Sequence, residues 1–185
     1  MKKELCKFIL LDVLGWKMAN RFPSEHKKLI VIIAPHTSMM DFVLGWLYYS
    51  ANGRKAGFAI KKEFFFFPLG PILRSLGSIP VDRKKTSMID QMAAAFEKSE
   101  KMILNITPEG TRKKTNKWKR GFWHISKKTG IPVVQGYLDY KNKLLGVAAN
   151  PFIELTDNVE EDMKRIKKLY DIASARFPEN FDNSI

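Results

Sequence analysis

A histidine and an aspartate at a strand end are the residues of this chain best placed to do chemistry. His36 follows the run Leu29-Ile30-Val31-Ile32-Ile33, and Asp41 lies five residues further on. An imidazole can take a proton from a weak nucleophile. A carboxylate on its other ring nitrogen fixes the tautomer and steadies the cation that forms. His36 is therefore read as a general base and Asp41 as its orienting partner. Taken alone, the pair is more simply a strand-to-helix turn with a capping aspartate and an incidental histidine. Two further polar clusters bear on that choice. Asp82-Arg83 follows Gly77-Ser78-Ile79-Pro80-Val81, and Glu109-Gly110-Thr111-Arg112 follows the apolar run Met102-Ile103-Leu104-Asn105-Ile106 by way of Thr107-Pro108. In a parallel sheet such strand ends share one edge, where open α/β folds bind ligands. Brought together, they supply a base, an orienting carboxylate and fixed cations for a phosphate or an oxyanion.

The patterning of the chain provides elements to carry these clusters. Short apolar, β-branched runs predict strands at 29–35, 57–60, 77–81 and 102–106. Helices are expected at 42–51, stopped by Asn52-Gly53, and at 88–99, capped by Thr86 or Ser87. Another is expected at 120–128, stopped by Gly130. Residues 131–138 and 144–149 read as strands joined by a turn at Lys141-Asn142, followed by a last helix from Asp157 to about Arg176. This alternation predicts a single-domain α/β fold, a mainly parallel sheet flanked by helices with an antiparallel pair near the C-terminus. Residues 1–28 are expected to form an amphipathic helix and loop, 29–177 the domain, and 178–185 a loose tail.

Composition bounds the partners. The chain has 185 residues and a net charge of +13, with 32 Lys+Arg against 19 Asp+Glu. The lysines come in short clusters, which suits basic faces on a folded body seeking anionic partners. A single cysteine, Cys6, excludes an internal disulfide and a Cys-rich metal site. His26 and His124 have no metal-ligand spacing, and no metal is expected. The apolar residues 5–16 are too few and too interrupted by Lys7 and Asp12 to span a bilayer. They suit a helix on a core groove or a membrane surface. Phe64-Phe65-Phe66-Phe67 cannot all face one core, so some are expected to be exposed or to line a groove. Ser38 lies close to His36 but has no Gly-x-Ser-x-Gly elbow around it, and is read as a turn or cap residue.

His36-(four residues)-Asp41, the segment from Gly77 to Arg83, and Glu109-Gly110-Thr111-Arg112 resemble, in order, the first three motifs of the glycerolipid acyltransferases. The best-known members are the 1-acylglycerol-3-phosphate acyltransferases. A lysine-rich segment at Lys61-Lys62-Glu63 and a phenylalanine-rich stretch lie between the first two motifs. The fourth motif of the family carries a proline pair, of which Ile131-Pro132-Val133-Val134-Gln135 keeps the first.

The resemblance implies an O-acyltransferase in phospholipid biosynthesis. It would move a fatty acyl group from acyl-CoA or acyl carrier protein to a hydroxyl of a lysophospholipid-type acceptor, with no acyl-enzyme, metal or redox cofactor. Arg83 would bind the acceptor's anionic head group, against the alternative of a surface ion pair with Asp82. Glu109, Gly110, Thr111 and Arg112 would serve acceptor binding, with Glu109 ordering Arg83 or the loop. Lys61 is a further candidate contact. The protein would sit in the cytoplasm, peripheral on the inner face of the cell membrane, its basic surface on anionic lipid. No nucleic-acid partner is expected. Two other readings remain: a basic nucleic-acid binder without catalysis, suggested by charge and interleaved aromatics, and a hydrolase using water in place of the acceptor.

Overall fold

The structure, a computed structural model, describes residues 2–82 and 87–184, the side chain of Lys61 excepted. The run at residues 29–33 is apolar without alternation because its strand is covered on both faces. That strand, β2 (Lys28–Ala34), sends Leu29 and Val31 into one core cluster, and Ile30, Ile32 and Ala34 into another. The first cluster is completed by α1 (Lys2–Phe8), the π-helical turn Ile9–Val13 and α2 (Met40–Ala51), through Cys6, Leu10, Leu44, Leu47 and Tyr48. The second is completed by α4 (Met88–Lys98), α5 (Gly121–Thr129) and α6 (Val159–Lys167), through Met92, Phe96, Phe122, Ile125 and Ile166. Burial of this order, worth ~1.5–3 kcal/mol for each large apolar side chain, makes β2 the centre of the molecule.

The remaining elements extend the sheet to both sides. They are β1 (Lys17–Ala19), β3 (Ala56–Lys61), α3 (Leu69–Ser75), β4 (Ser78–Val81), β5 (Met102–Ile106), β6 (Val133–Asp139) and β7 (Leu144–Ile153). Among the described residues one seven-stranded sheet forms, in the order β1-β7-β6-β2-β5-β3-β4. The β6-β2-β5-β3-β4 neighbours are all parallel, and β6 and β7 form the antiparallel pair. The expected α/β class and mixed sheet are therefore present. The parallel set sends the C-terminal ends of β2, β5, β3 and β4 to one edge.

Several expectations need correction. β1 pairs with β7, so residues 17–19 belong to the sheet and not to a separate N-terminal piece. A strand this short carries no readable alternation. The last helix stops at Lys167, well before residue 176, because Tyr170 turns inward and is only 4% exposed. Its cap is Asn158 and not Asp157: the Asn158 side chain accepts the N–H groups of Glu160 and Glu161. The tail is packed. Phe181 is 1% exposed, and the Trp118 indole N–H donates to the Asp182 carbonyl at 3.0 Å. The phenylalanine run divides as the period argument requires, with Phe64, Phe66 and Phe67 exposed at 50%, 58% and 87% and Phe65 half-buried.

Candidate active site

At the end of β2 the chain runs from Ala34 through Pro35 to His36, then turns through Thr37 and Ser38 into α2. Asp41 sits in the first turn of α2, which begins at Met40, two residues before the start that the patterning indicated. From there its carboxylate reaches back over the loop. Oδ2 lies 3.0 Å from His36 Nδ1 and accepts the backbone N–H groups of Thr37 and Ser38 at 3.0 and 2.9 Å. Oδ1 accepts the Tyr140 hydroxyl at 2.5 Å. Asp41 therefore does more than cap a helix: it stitches the loop and holds the imidazole. A carboxylate only accepts, so Nδ1 carries a proton, and in the neutral ring the lone pair is on Nε2. Among the described residues Nε2 has no hydrogen-bond partner, and the His36 side chain is 20% exposed. In the neutral ring this arrangement leaves Nε2 able to accept a hydrogen bond or a proton.

The adjacent strand brings up Glu109. Its Oε1 accepts the His36 backbone N–H at 2.7 Å, joining the loop after β5 directly to the loop after β2. Oε2 is buried without a partner among the described residues. Burial pushes the Glu109 carboxyl up from 4.5 to about 7; the nearby Asp41 adds to the rise, and the His36 N–H opposes it. Glu109 is 4% exposed, so it acts on the His36 loop from beneath. Arg83, which Glu109 was also expected to order, lies outside the described residues.

The rest of that motif is at the surface. Gly110 takes φ +65, and a Cβ there would stand 3.1 Å from Lys119 Cγ. Thr111 and Arg112 are exposed; Thr111 Oγ1 accepts the Lys113 N–H, and Arg112 has no ion-pair or hydrogen-bond partner among the described residues. Asp82 follows β4, three strands over from β2, or about 14 Å at the usual strand spacing. Its carboxylate pairs with Lys62 at 3.2 Å. Arg83 lies outside the described residues, as does the side chain of Lys61, which ends β3. His26 packs on the Phe152 ring and His124 on Trp123, each at 5.0 Å between centroids.

Four residues of the site carry no motif: Tyr140, Tyr170, Arg176 and Phe177. Tyr140 comes from the turn after β6. Its ring stands edge-on to Trp16 at 5.0 Å, with the Arg176 guanidinium 5.9 Å from its centroid. Arg176 also donates to Ser38 Oγ at 3.2 Å, and the Phe177 N–H donates to Thr37 Oγ1 at 3.2 Å. Tyr170 donates to the Ile32 carbonyl within β2 at 3.0 Å. Residues 170–177 thus form a strap across the His36 loop. Its sequence signal, the aromatic and basic residues Tyr170, Arg176 and Phe177, was hidden because the patterning ran the last helix to about Arg176.

Comparison with known proteins bears on this arrangement. The family model described as "Acyltransferase" matches residues 16–136, which include β2, the His36 loop, Asp41 and Glu109. Among solved structures, the crystal structure of the 1-acyl-sn-glycerophosphate (LPA) acyltransferase PlsC from Thermotoga maritima is similar, with a TM-score of 0.62 and 17% identity. The alignment covers 90% of this chain and 74% of that one, and at this identity it speaks to the fold. No curated protein matches the sequence. The family match, spanning well over half of the chain, shows that this protein belongs to the acyltransferase family.

Proposed function

We propose that this acyltransferase moves a fatty acyl group from an acyl thioester to a hydroxyl of a lysophospholipid-type acceptor. The observation that carries the reading is the His36–Asp41 pair with Nε2 left free. A hydroxyl is a poor nucleophile at neutral pH. His36 Nε2 takes its proton as oxygen attacks the thioester carbonyl, and the imidazolium formed is steadied by Asp41. Collapse of the tetrahedral adduct breaks the C–S bond, and the proton on His36 returns to the departing thiolate. The product is an ester and a free thiol, with no covalent enzyme intermediate. Acyl-CoA and acyl carrier protein both supply such a thioester.

Lysophosphatidate is the first acceptor to try. PlsC, which shares the fold, is by name an acyltransferase of 1-acyl-sn-glycerophosphate. Arg83 and the exposed Arg112 supply guanidinium groups suited to its phosphate. Gly110 and Thr111 shape the turn that presents Arg112, and Lys61 is a further cation for the same head group.

The surface fits a lipid substrate. Met39 and Val43, at the start of α2 beside His36, are 62% and 40% exposed. Leu5, Phe8 and Val13 stand exposed on the N-terminal helix, and Phe66 and Phe67 on the loop before α3. Lys2, Lys3 and Lys7 are exposed among the first of these. No helix among the described residues is long and apolar enough to cross a membrane. We infer peripheral binding to an anionic bilayer, with aromatic side chains in the interface and lysines on the head groups. The test is transfer of radiolabelled acyl groups from acyl-CoA or acyl carrier protein to a panel of lysolipids in vesicles. An acylated lysophospholipid supports the reading; thioester loss that is independent of acceptor makes the protein a hydrolase.

A further inference from the structure

Asp41 spends both of its oxygens, and only one of them on the imidazole loop. Oδ2 serves His36 Nδ1 and the N–H groups of Thr37 and Ser38, and among the described residues Oδ1 is held by the Tyr140 hydroxyl alone. The Asp41 side chain is 4% exposed. Without Tyr140, Oδ1 would be a buried carboxylate oxygen with no donor, a costly state relieved by rotating the carboxylate or drawing in water. Either change moves Oδ2, and with it the direction in which His36 Nδ1–H is held.

Tyr140 is itself fixed. Trp16 meets its ring edge-on, the Arg176 guanidinium lies near its face, and its N–H donates to the Ser174 carbonyl at 2.9 Å. Burial, reinforced by Asp41 and opposed by Arg176, pushes its phenol well above the ordinary value, so the hydroxyl stays protonated and donates to Asp41.

On the reading of His36 as general base, we propose that Tyr140 is a positioning residue of the transfer reaction, its hydroxyl locking Asp41 so that Oδ2 aims His36. The two ring nitrogens then have separate duties: Nδ1 is clamped through Asp41 to Tyr140, and Nε2 faces the acceptor hydroxyl. Tyr140 lies on the β6 side of His36, and Glu109 on the β5 side. The base is gripped from both neighbouring strands.

The test is Tyr140→Phe, which keeps the ring between Trp16 and Arg176 and removes only the donor. Steady-state transfer is measured for wild type, Tyr140→Phe and His36→Ala, each checked for folding by its thermal transition. In parallel, the NMR resonances of the His36 ring nitrogens and of the Nδ1 proton are followed in ¹⁵N-histidine-labelled protein. The proposal expects kcat to fall about 10- to 100-fold, with KM for donor and acceptor within about twofold of wild type. It also expects the His36 Nδ1 proton to shift or broaden while His26 and His124 stay unmoved. If Tyr140→Phe retains wild-type kcat, loses only KM, or leaves the His36 resonances unmoved while His36→Ala is inactive, the proposal is overturned and the base assignment stands. If His36→Ala is itself active, both fall. Should Tyr140→Phe not fold, Trp16→Phe, which loosens the ring but keeps the hydroxyl, is expected to shift the His36 Nδ1 signal in the same sense; an unmoved signal counts against the proposal.

Discussion

Glu109 holds His36 by the main chain and not by the ring: Oε1 accepts the His36 N–H at 2.7 Å, leaving the imidazole to Asp41. The two carboxylates therefore divide the work. One fixes where the histidine backbone sits, and the other fixes how the ring points. This division has a pH consequence, because Glu109 is buried and its carboxyl is raised to about 7.

A folded-state value raised above the unfolded 4.5 means that the folded protein holds the proton more tightly. The associated stability is fully present below pH 4.5 and is lost as pH rises through about 7. The span corresponds to on the order of 3 kcal/mol. Glu109→Gln removes this titration while keeping an acceptor for the His36 N–H. In denaturant titrations, the stability of wild type relative to Glu109→Gln is expected to decline across that window. A constant difference would mean that Glu109 does not titrate there.

Asp41→Asn offers an amide where four donors converge on a carboxylate. One end of the amide is itself a donor: facing Oδ2's three N–H groups it repels them, and facing Tyr140 it makes that hydroxyl accept instead of donate. Activity is expected to fall about 10²-fold or more, approaching the loss for removal of the base. Near-normal kcat in a folded Asp41→Asn protein would reduce Asp41 to a loop-stitching role.

On the proposed peripheral binding, the exposed phenylalanines set membrane affinity. Phe66→Ser with Phe67→Ser removes two aromatic side chains, each worth ~1.5 kcal/mol or more on burial. Binding to vesicles containing anionic lipid is expected to drop more than tenfold, with melting temperature little changed, since both residues are exposed. High salt is expected to weaken wild-type binding as the lysines are screened. Unaltered sedimentation with vesicles would place the membrane face elsewhere.

The C-terminal segment is structural. Phe181 is fully buried and Trp118 holds the Asp182 carbonyl. Phe181→Ala is expected to cost ~3–5 kcal/mol of stability, read from a urea unfolding curve. A change under 1 kcal/mol would mean that the segment packs loosely.

The centre of this fold was legible because its constraints are local. Residues 29–33 are apolar at every position, as a strand covered on both faces must be. His36, Asp41 and Glu109 could be brought together from their places at strand ends alone. Tyr140 and Arg176 could not be found that way. They lie 99 and 138 residues from the groups they touch, Asp41 and Ser38. Their meeting depends on the register of β6 with β2 and on the inward turn at Tyr170, neither of which has a periodic signature. Lys17 to Ala19 was invisible for a related reason: three residues gain their strand character from pairing with β7.

The central claim is that His36 Nε2 takes the proton of the acceptor hydroxyl. It is tested most directly by single-turnover acyl transfer with purified wild type and His36→Ala at saturating donor and acceptor, with folding of the variant verified by its circular dichroism and thermal transition. A loss of about 10²- to 10⁴-fold in the transfer rate is expected for a variant that folds and still binds lipid vesicles. A folded His36→Ala protein transferring acyl groups at the wild-type rate would contradict it.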